Sequence, residues 1–219
     1  MKQLVPAKTT FKLGLGNPAQ TLQWMKQNKH RRAGICFIGR SNVGKSSIIN
    51  SIFGGHTAKV SATPGKTREI NIFNFYLKET LEDGETVQHG PFFLFDLPGY
   101  GYAKVSKKMT AQWEEVMNTF FSLAPEHFLM VNLRDSRHPD QKSDQELVSY
   151  FEKFELNKLM ALNKFDKLKT QKERAVLNKW VKNLKKDNKE VDVFKVSAET
   201  RQGLNELESH LWEFLLTAL

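Results

Sequence analysis

One short segment constrains this chain more than any other feature of its sequence. Residues 39–46 read GRSNVGKS, which fits the pattern G-x-x-x-x-G-K-[ST], and they stand between an apolar run and an amphipathic stretch. Between a strand and a helix, this pattern lets main-chain N–H groups surround a phosphate at the positive end of the helix. The sequence therefore predicts a phosphate-binding loop that consists of Gly39, Arg40, Ser41, Asn42, Val43, Gly44, Lys45 and Ser46.

Two side chains of this loop suit a nucleoside triphosphate. The Lys45 ammonium can reach the β- and γ-phosphates, and the Ser46 hydroxyl can bind Mg²⁺. We therefore expect Lys45 to take part in catalysis and Ser46 to be a metal ligand.

The rest of the chain alternates short apolar runs with amphipathic stretches. The apolar runs predict six strands, and the amphipathic stretches predict helices near residues 46–52, 110–123, 143–154, 171–186 and 204–216. This alternation indicates an α/β fold with a mostly parallel, doubly wound sheet covered by helices on both faces. Ligands of such sheets bind at the carboxyl ends of the strands. The predicted strands are residues 35–38, 70–77, 92–95, 128–133, 159–162 and 191–196.

A second motif follows directly after the predicted strand at residues 92–95. It has the pattern D-x-x-G, in which the Asp can hold Mg²⁺ through water and the Gly N–H can meet the γ-phosphate. The pattern is common by chance, so its position after a strand gives it weight. Its residues are Asp96, Leu97, Pro98 and Gly99.

A third motif, N-K-x-D, follows the strand at residues 159–162 and favours guanine. Guanine offers N1–H and N2–H₂ side by side, and one carboxylate accepts from both, whereas adenine would leave that carboxylate unpaired. We expect Asp166 to read the base, Asn163 to link the base with the phosphate loop, and the Lys164 stem to cover the ring. The motif consists of Asn163, Lys164, Phe165 and Asp166.

Two weaker segments complete the predicted site. Main-chain N–H groups after the last strand, from Val196, Ser197 and Ala198, can bind the guanine O6. The polar loop between the first two motifs carries Thr63 and Thr67, and either hydroxyl can join Mg²⁺ when a γ-phosphate is present. The residues themselves do not choose between these two threonines.

Length, cysteine content and net charge indicate the domain number, the cellular compartment and the kind of partner to expect. Its 219 residues with 40% hydrophobic content suit one domain, preceded by an N-terminal extension at residues 1–30. The single cysteine, Cys36, excludes an internal disulfide, and neither a signal peptide nor a membrane-spanning run is apparent. The net charge of +9 favours RNA over a membrane as partner, although surface lysines that only solvate helices would explain it too. We expect a cytoplasmic monomer.

Three segments together resemble the EngB (YihA/YsxC) family of bacterial GTPases. They are residues 39–47, TPGKT at residues 63–67 and DLPGYGYA at residues 96–103. The resemblance covers residues 31–219 and implies a six-stranded GTPase domain that works in assembly of the large ribosomal subunit, on its rRNA, and in normal cell division and septation. It also implies Mg²⁺ on Ser46 and Thr67, and nucleotide contacts by Gly65, Lys66, Thr67, Arg68 and Glu69.

Hydrolysis of GTP is expected to be slow. Many GTPases place a water-orienting Gln after D-x-x-G, and here Tyr100 stands in that position, where a phenol is a poor base at neutral pH. Resemblance to cation-dependent GTPases suggests that Asn42 helps to hold a K⁺ ion beside the phosphates. A loop residue that bonds its own backbone is the plainer interpretation of Asn42. The predicted catalytic residues are Lys45, Asn42 and Gly99.

Two other functions compete with a GTPase switch. A cell-division scaffold would bind GTP without depending on turnover, and Tyr100 keeps that alternative open. An ATPase or small-molecule kinase would share the phosphate loop, but the N-K-x-D motif argues against it.

Overall fold

The computed structural model describes residues 3–28, 33–59, 69–100, 107–187 and 191–218. In these residues one sheet contains strands β1 (Gln3–Leu15), β2 (Gly34–Gly39), β3 (Ile70–Thr80), β4 (Thr86–Asp96), β5 (Phe128–Asp135), β6 (Asn157–Asn163) and β7 (Asp192–Lys195). The sheet has the strand order β1-β3-β4-β2-β5-β6-β7. The predicted α/β fold with a mostly parallel, doubly wound sheet is confirmed.

Helices connect the strands and cover the sheet. They are α1 (Pro18–Asn28), α2 (Lys45–Phe53), α3 (Lys107–Ser122), α4 (Lys142–Phe151), α5 (Gln171–Asp187) and α6 (Leu204–Thr217), with a short 3₁₀ helix at Phe165–Lys167. Helices α2 to α6 correspond to the five predicted helices. In the described residues, no helix combines the length and the apolar character that crossing a membrane requires.

The parallel half of the sheet is centred on β2. Every residue of β2 is buried, because its neighbours β4 and β5 run parallel to it and helices cover both of its faces. Strands β5, β6 and β7 continue in parallel toward one edge. The carboxyl ends of β2, β4, β5 and β6 therefore meet at one edge of the sheet, where the predicted motifs follow them.

The other half of the sheet is antiparallel and contains one strand more than the sequence predicts. Strand β1 pairs with β3, and β3 pairs with β4 through a tight connection in which the Leu81 N–H donates to the Glu85 carbonyl at 2.8 Å. The predicted count of six strands is thus wrong by one. The added strand is held by main-chain pairing at the sheet edge and is largely exposed, so its side chains show no strong apolar pattern. The division at residue 30 stays a prediction.

The core lies in two layers because side chains alternate between the faces of each strand. On one face, Ile35 and Phe37 pack with residues of α2 and α6, including the fully buried Trp212. On the other face, Cys36 and Ile38 pack with residues of α1, α3 and α4. These layers fix the strand ends relative to one another and so position the site.

Candidate nucleotide-binding site

The phosphate loop follows β2 and leads directly into α2. Gly39 must be glycine, since an added Cβ would lie 2.7 Å from Val43 Cγ1 and 2.9 Å from the Leu133 carbonyl oxygen. Asn42 and Gly44 have positive φ angles of 62° and 93°, which belong to the left-handed region. The loop therefore curls tightly over the start of α2, where no side chain caps the helix. This arrangement suits an anion.

Lys45 and Asp96 form an ion pair inside the loop. The Lys45 ammonium donates to Asp96 Oδ1, and the two side chains are only 10% and 4% exposed. An ammonium has three N–H donors, so Lys45 can hold Asp96 and still donate to a phosphate. The D-x-x-G aspartate and the loop lysine are thus in direct contact, a pairing that the motifs alone do not predict.

Residues 96–100 are joined to β2 and to the phosphate loop by main-chain hydrogen bonds. The Leu97 N–H donates to the Phe37 carbonyl at 3.0 Å, and the Tyr100 N–H donates to the Gly39 carbonyl at 3.4 Å. In return the Ser41 N–H donates to the Tyr100 carbonyl at 3.2 Å. Pro98 and Gly99 are buried between these contacts. The predicted Gly99 N–H is therefore fixed near the phosphate loop.

Asn163 ties three predicted segments together. It ends β6, is 2% exposed, and donates from Nδ2 to the Val43 carbonyl at 2.9 Å. Its Oδ1 accepts from the Ala198 N–H at 3.1 Å. A Cβ at Gly44 would collide with the same amide, so this glycine is also required. The N-K-x-D motif, the phosphate loop and the segment 196–198 are therefore in contact.

Lys164 spans the mouth of the site. Its φ of 62° turns the chain back, and its ammonium donates to the Asn42 carbonyl at 2.6 Å. The ammonium also lies 3.1 Å from Asp135 Oδ2. Both ends of the side chain are therefore fixed, and its stem can cover a flat ring.

Asp135 is a site residue that motif reasoning missed. It ends β5 in register with Asn163 and binds Arg137 as well as Lys164. Although burial opposes ionisation, hydrogen bonds from Arg137 and Lys164 hold the pKa of Asp135 well below its usual range. The signal was present in the sequence, because a charged residue at the end of a buried parallel strand belongs to the ligand-binding edge.

Asp166 is oriented by its neighbours. Ser197 Oγ donates to Asp166 Oδ1 at 2.7 Å, and Lys167 Nζ lies 3.2 Å from Oδ2. Although burial opposes it, these contacts lower the pKa of Asp166, so the carboxylate stays charged at neutral pH. Each oxygen keeps a further lone pair, which matches the paired donors of guanine. Nearby, the Phe165 N–H donates to the Val196 carbonyl at 3.1 Å.

The predicted switch-loop residues fall mostly outside the described residues. Thr63, Gly65, Lys66, Thr67 and Arg68 belong to that segment. Glu69 is described, and it packs against the end of β1, where an added Cβ at Gly16 would lie 3.1 Å from Glu69 Oε1. Their contacts with nucleotide or metal stay predictions.

Comparison with known proteins gives matches over most of the chain. Residues 34–164 match the family described as 50S ribosome-binding GTPase. The chain is 40% identical over 174 residues to a probable GTP-binding protein EngB of Prosthecochloris aestuarii, covering 78% of this chain and 83% of the relative. It is 37% identical over 173 residues to the corresponding protein of Kosmotoga olearia, covering 79% and 84%.

A solved structure shares the fold. The crystal structure of a probable GTP-binding protein engB superposes with a TM-score of 0.58 at 20% identity, over 84% of this chain and 100% of that chain.

Proposed function

This chain belongs to the EngB family of GTP-binding proteins, and from that premise we propose that it is a Mg²⁺-dependent GTPase that acts as a nucleotide switch in assembly of the large ribosomal subunit. The observation that carries the proposal is the joint arrangement of Lys45, Asp96, Asn163 and Asp166 at one edge of the sheet. This arrangement suits both a phosphate and a guanine, which are the two ends of the proposed ligand.

Mg²⁺ fits the oxygen donors at the phosphate loop. Ser46 stands in the first turn of α2 and Asp96 at the end of β4, and Mg²⁺ commonly binds one or two such groups together with phosphate oxygens. Among the described residues, no three His, Cys, Asp or Glu side chains cluster in a metal-binding arrangement. As the family resemblance implies, Ser46 and Thr67 would bind the ion, and Asp96 would act through water. The ion supplies charge neutralisation at the phosphates.

We expect slow hydrolysis because the residue after D-x-x-G cannot activate water. Burial and the Asp144 carboxylate raise the pKa of Tyr100 far above its usual range. Its hydroxyl also donates to Asp144 Oδ1 at 2.8 Å. The phenol is thus protonated and directed to another partner. Lys45 and the Gly99 N–H remain to stabilise charge on the γ-phosphate.

A K⁺ ion beside the phosphates would neutralise part of the charge that develops there during hydrolysis. Asn42 is exposed, has a positive φ, and has its carbonyl bound to Lys164, so its side-chain amide is available to a ligand. Single-turnover hydrolysis should be faster in K⁺ than in Na⁺, and Asn42→Ala should remove this difference while GTP affinity stays nearly unchanged. Equal rates in both salts would refute a role for K⁺.

The proposed partner is rRNA of the large subunit, and the proposed setting is the cytoplasm, with the protein acting as a monomer. The net charge of +9 supports attraction to a polyanion. Binding that releases counterions from phosphates should weaken steeply as salt rises. On the family resemblance, the proposed role extends to normal cell division and septation.

Cosedimentation with purified large subunits tests the switch. More protein should sediment with a non-hydrolysable GTP analogue than with GDP, and KCl should reduce the amount steeply. Asp166→Asn is a matched control, because its binding should fail with the guanosine analogue and return with the xanthosine analogue. Equal sedimentation in all nucleotide states would instead favour the scaffold alternative. The Tyr100 hydroxyl also supports that alternative, because it is bonded to Asp144 and cannot activate water.

A further inference from the structure

A fully buried aspartate on α4 contacts two parts of the nucleotide site. Asp144 is 0% exposed and lies in the first turn of α4. It accepts a hydrogen bond from the Tyr100 hydroxyl at 2.8 Å, and Arg40 Nε lies 3.1 Å from each of its oxygens. Burying a carboxylate is costly unless it is paired and hydrogen-bonded, so these partners are needed to keep it there.

A helix cap alone does not explain this cluster. The Gln141 N–H donates to Asp144 Oδ2 at 3.1 Å, which is sufficient for the reciprocal contact of a capping box. Tyr100 and Arg40 are 44 and 104 residues away in the chain, and neither is needed to start a helix. Their contacts therefore join α4 to the phosphate loop and to the segment after β4.

Arg40 forms the first arm of the cluster. It follows Gly39 in the phosphate loop, and besides Asp144 it donates to Gln141 Oε1 and, at 3.3 Å, to the His138 carbonyl. Arg134, which is 2% exposed, adds positive charge nearby and is itself held through the Pro139 carbonyl at 2.8 Å. This arm ties the outer side of the phosphate loop to α4 and to the segment that precedes it.

Tyr100 forms the second arm. Its main chain is bonded to the phosphate loop through Gly39 and Ser41, while its side chain is bonded to Asp144. The preceding residue, Gly99, is the one whose N–H is expected to meet a γ-phosphate. The hydrogen bond from the Tyr100 side chain to Asp144 therefore helps to fix the main chain directly beside that N–H.

We propose that Asp144 and Tyr100 are positioning residues that hold the Gly99 N–H in place for the γ-phosphate, and that Asp144 separately steadies the phosphate loop through Arg40. The inference rests on the proposed GTPase function. It assigns discrimination between GTP and GDP to the Tyr100 arm, because GDP has no γ-phosphate. The Arg40 arm should affect both nucleotides alike.

Affinities of GDP and a non-hydrolysable GTP analogue, with single-turnover rates, test the two arms. Tyr100→Phe should weaken the analogue about tenfold and slow hydrolysis similarly, with GDP affinity within about twofold of wild type. Asp144→Asn should weaken the binding of both nucleotides, and it should weaken binding of the GTP analogue more than binding of GDP. Tyr150→Phe is the matched control, since its hydroxyl donates to Asn118 at 2.9 Å on another side of α4 and its loss should change neither affinity.

A loss of positioning changes the ratio of the affinities for the GTP analogue and GDP, whereas a loss of stability alone does not. Thermal unfolding measures stability in parallel. If Asp144→Asn does not fold, Tyr100→Phe decides the question alone. A wild-type ratio in Tyr100→Phe would overturn the inference while leaving the proposed function intact. If the wild-type protein itself binds no guanine nucleotide, the proposed function fails and this inference fails with it.

Discussion

The two ends of the nucleotide site are built differently. The base end, defined as Asn163, Lys164, Asp166 and Ser197, is held by side-chain hydrogen bonds that orient Asp166 and leave one more lone pair on each of its oxygens. The phosphate end, defined as residues 39–46 with residues 96–99, is held by main-chain contacts and by the Lys45–Asp96 ion pair. A phosphate would share that ammonium with Asp96. The base-reading carboxylate is therefore oriented in advance, whereas a phosphate has to share a lysine charge that is already paired with Asp96.

The largest effect is expected from a variant that disrupts the phosphate end. Lys45→Ala removes the charge that meets the phosphates and leaves the Asp96 carboxylate buried without its ammonium. Hydrogen bonds between an ammonium and charged phosphates contribute up to about 3 kcal/mol, which corresponds to roughly a hundredfold in affinity. Calorimetry should find this loss for GTP and GDP, with or without Mg²⁺.

Ser46→Ala is the companion variant at the same end. It should lose only the benefit of Mg²⁺, since it keeps the Lys45 charge. If both variants titrate like the wild-type protein, the phosphate loop has been assigned wrongly.

A smaller effect is expected from a variant that disrupts the base end. Asp166→Asn replaces the acceptor of the guanine donors by an amide, so GTP affinity should fall by about tenfold to a hundredfold. Xanthosine triphosphate should gain affinity, because its extra carbonyl accepts from that amide. Competition binding with both nucleotides measures this exchange, and unchanged GTP binding would place the base elsewhere.

Asn163→Ala tests whether the two ends are independent. It leaves the Val43 carbonyl and the Ala198 N–H without their buried partner, which should lower the free energy of unfolding by about 1–3 kcal/mol. Binding of GTP and GDP should weaken equally, because Asn163 donates to the phosphate loop at Val43, whereas the γ-phosphate is expected at Lys45 and Gly99. An altered ratio of GTP to GDP affinity would contradict the separation of the two ends.

The smallest expected effect concerns pH. The pKa of Asp135 is lowered in the folded protein, so its contribution to stability is complete above its unfolded pKa of about 3.9 and is lost as pH falls further. Asp135→Asn should cost about 1 kcal/mol at pH 7, since its partner Arg137 is partly exposed. Urea unfolding at several pH values should show a shallower loss below pH 4 in the variant than in wild type.

The sequence predicted the site better than it predicted the sheet edge. The phosphate loop, D-x-x-G and N-K-x-D are contiguous motifs, so their positions after strands were enough to bring them together. Strand β1 was missed because it pairs through its main chain and exposes residues such as Phe11, which is 59% accessible. The Asp144 cluster was missed for a different reason. Its members are far apart in the chain, and only the packing of α4 against the site makes them neighbours.

Calorimetric titration of the wild-type protein with GTP, GDP and ATP in Mg²⁺ tests the central claim most directly. A base end formed in advance for guanine predicts binding of GTP and GDP, with ATP at least about a hundredfold weaker, because adenine leaves the Asp166 carboxylate unpaired. ATP binding within about tenfold of GTP would contradict the account.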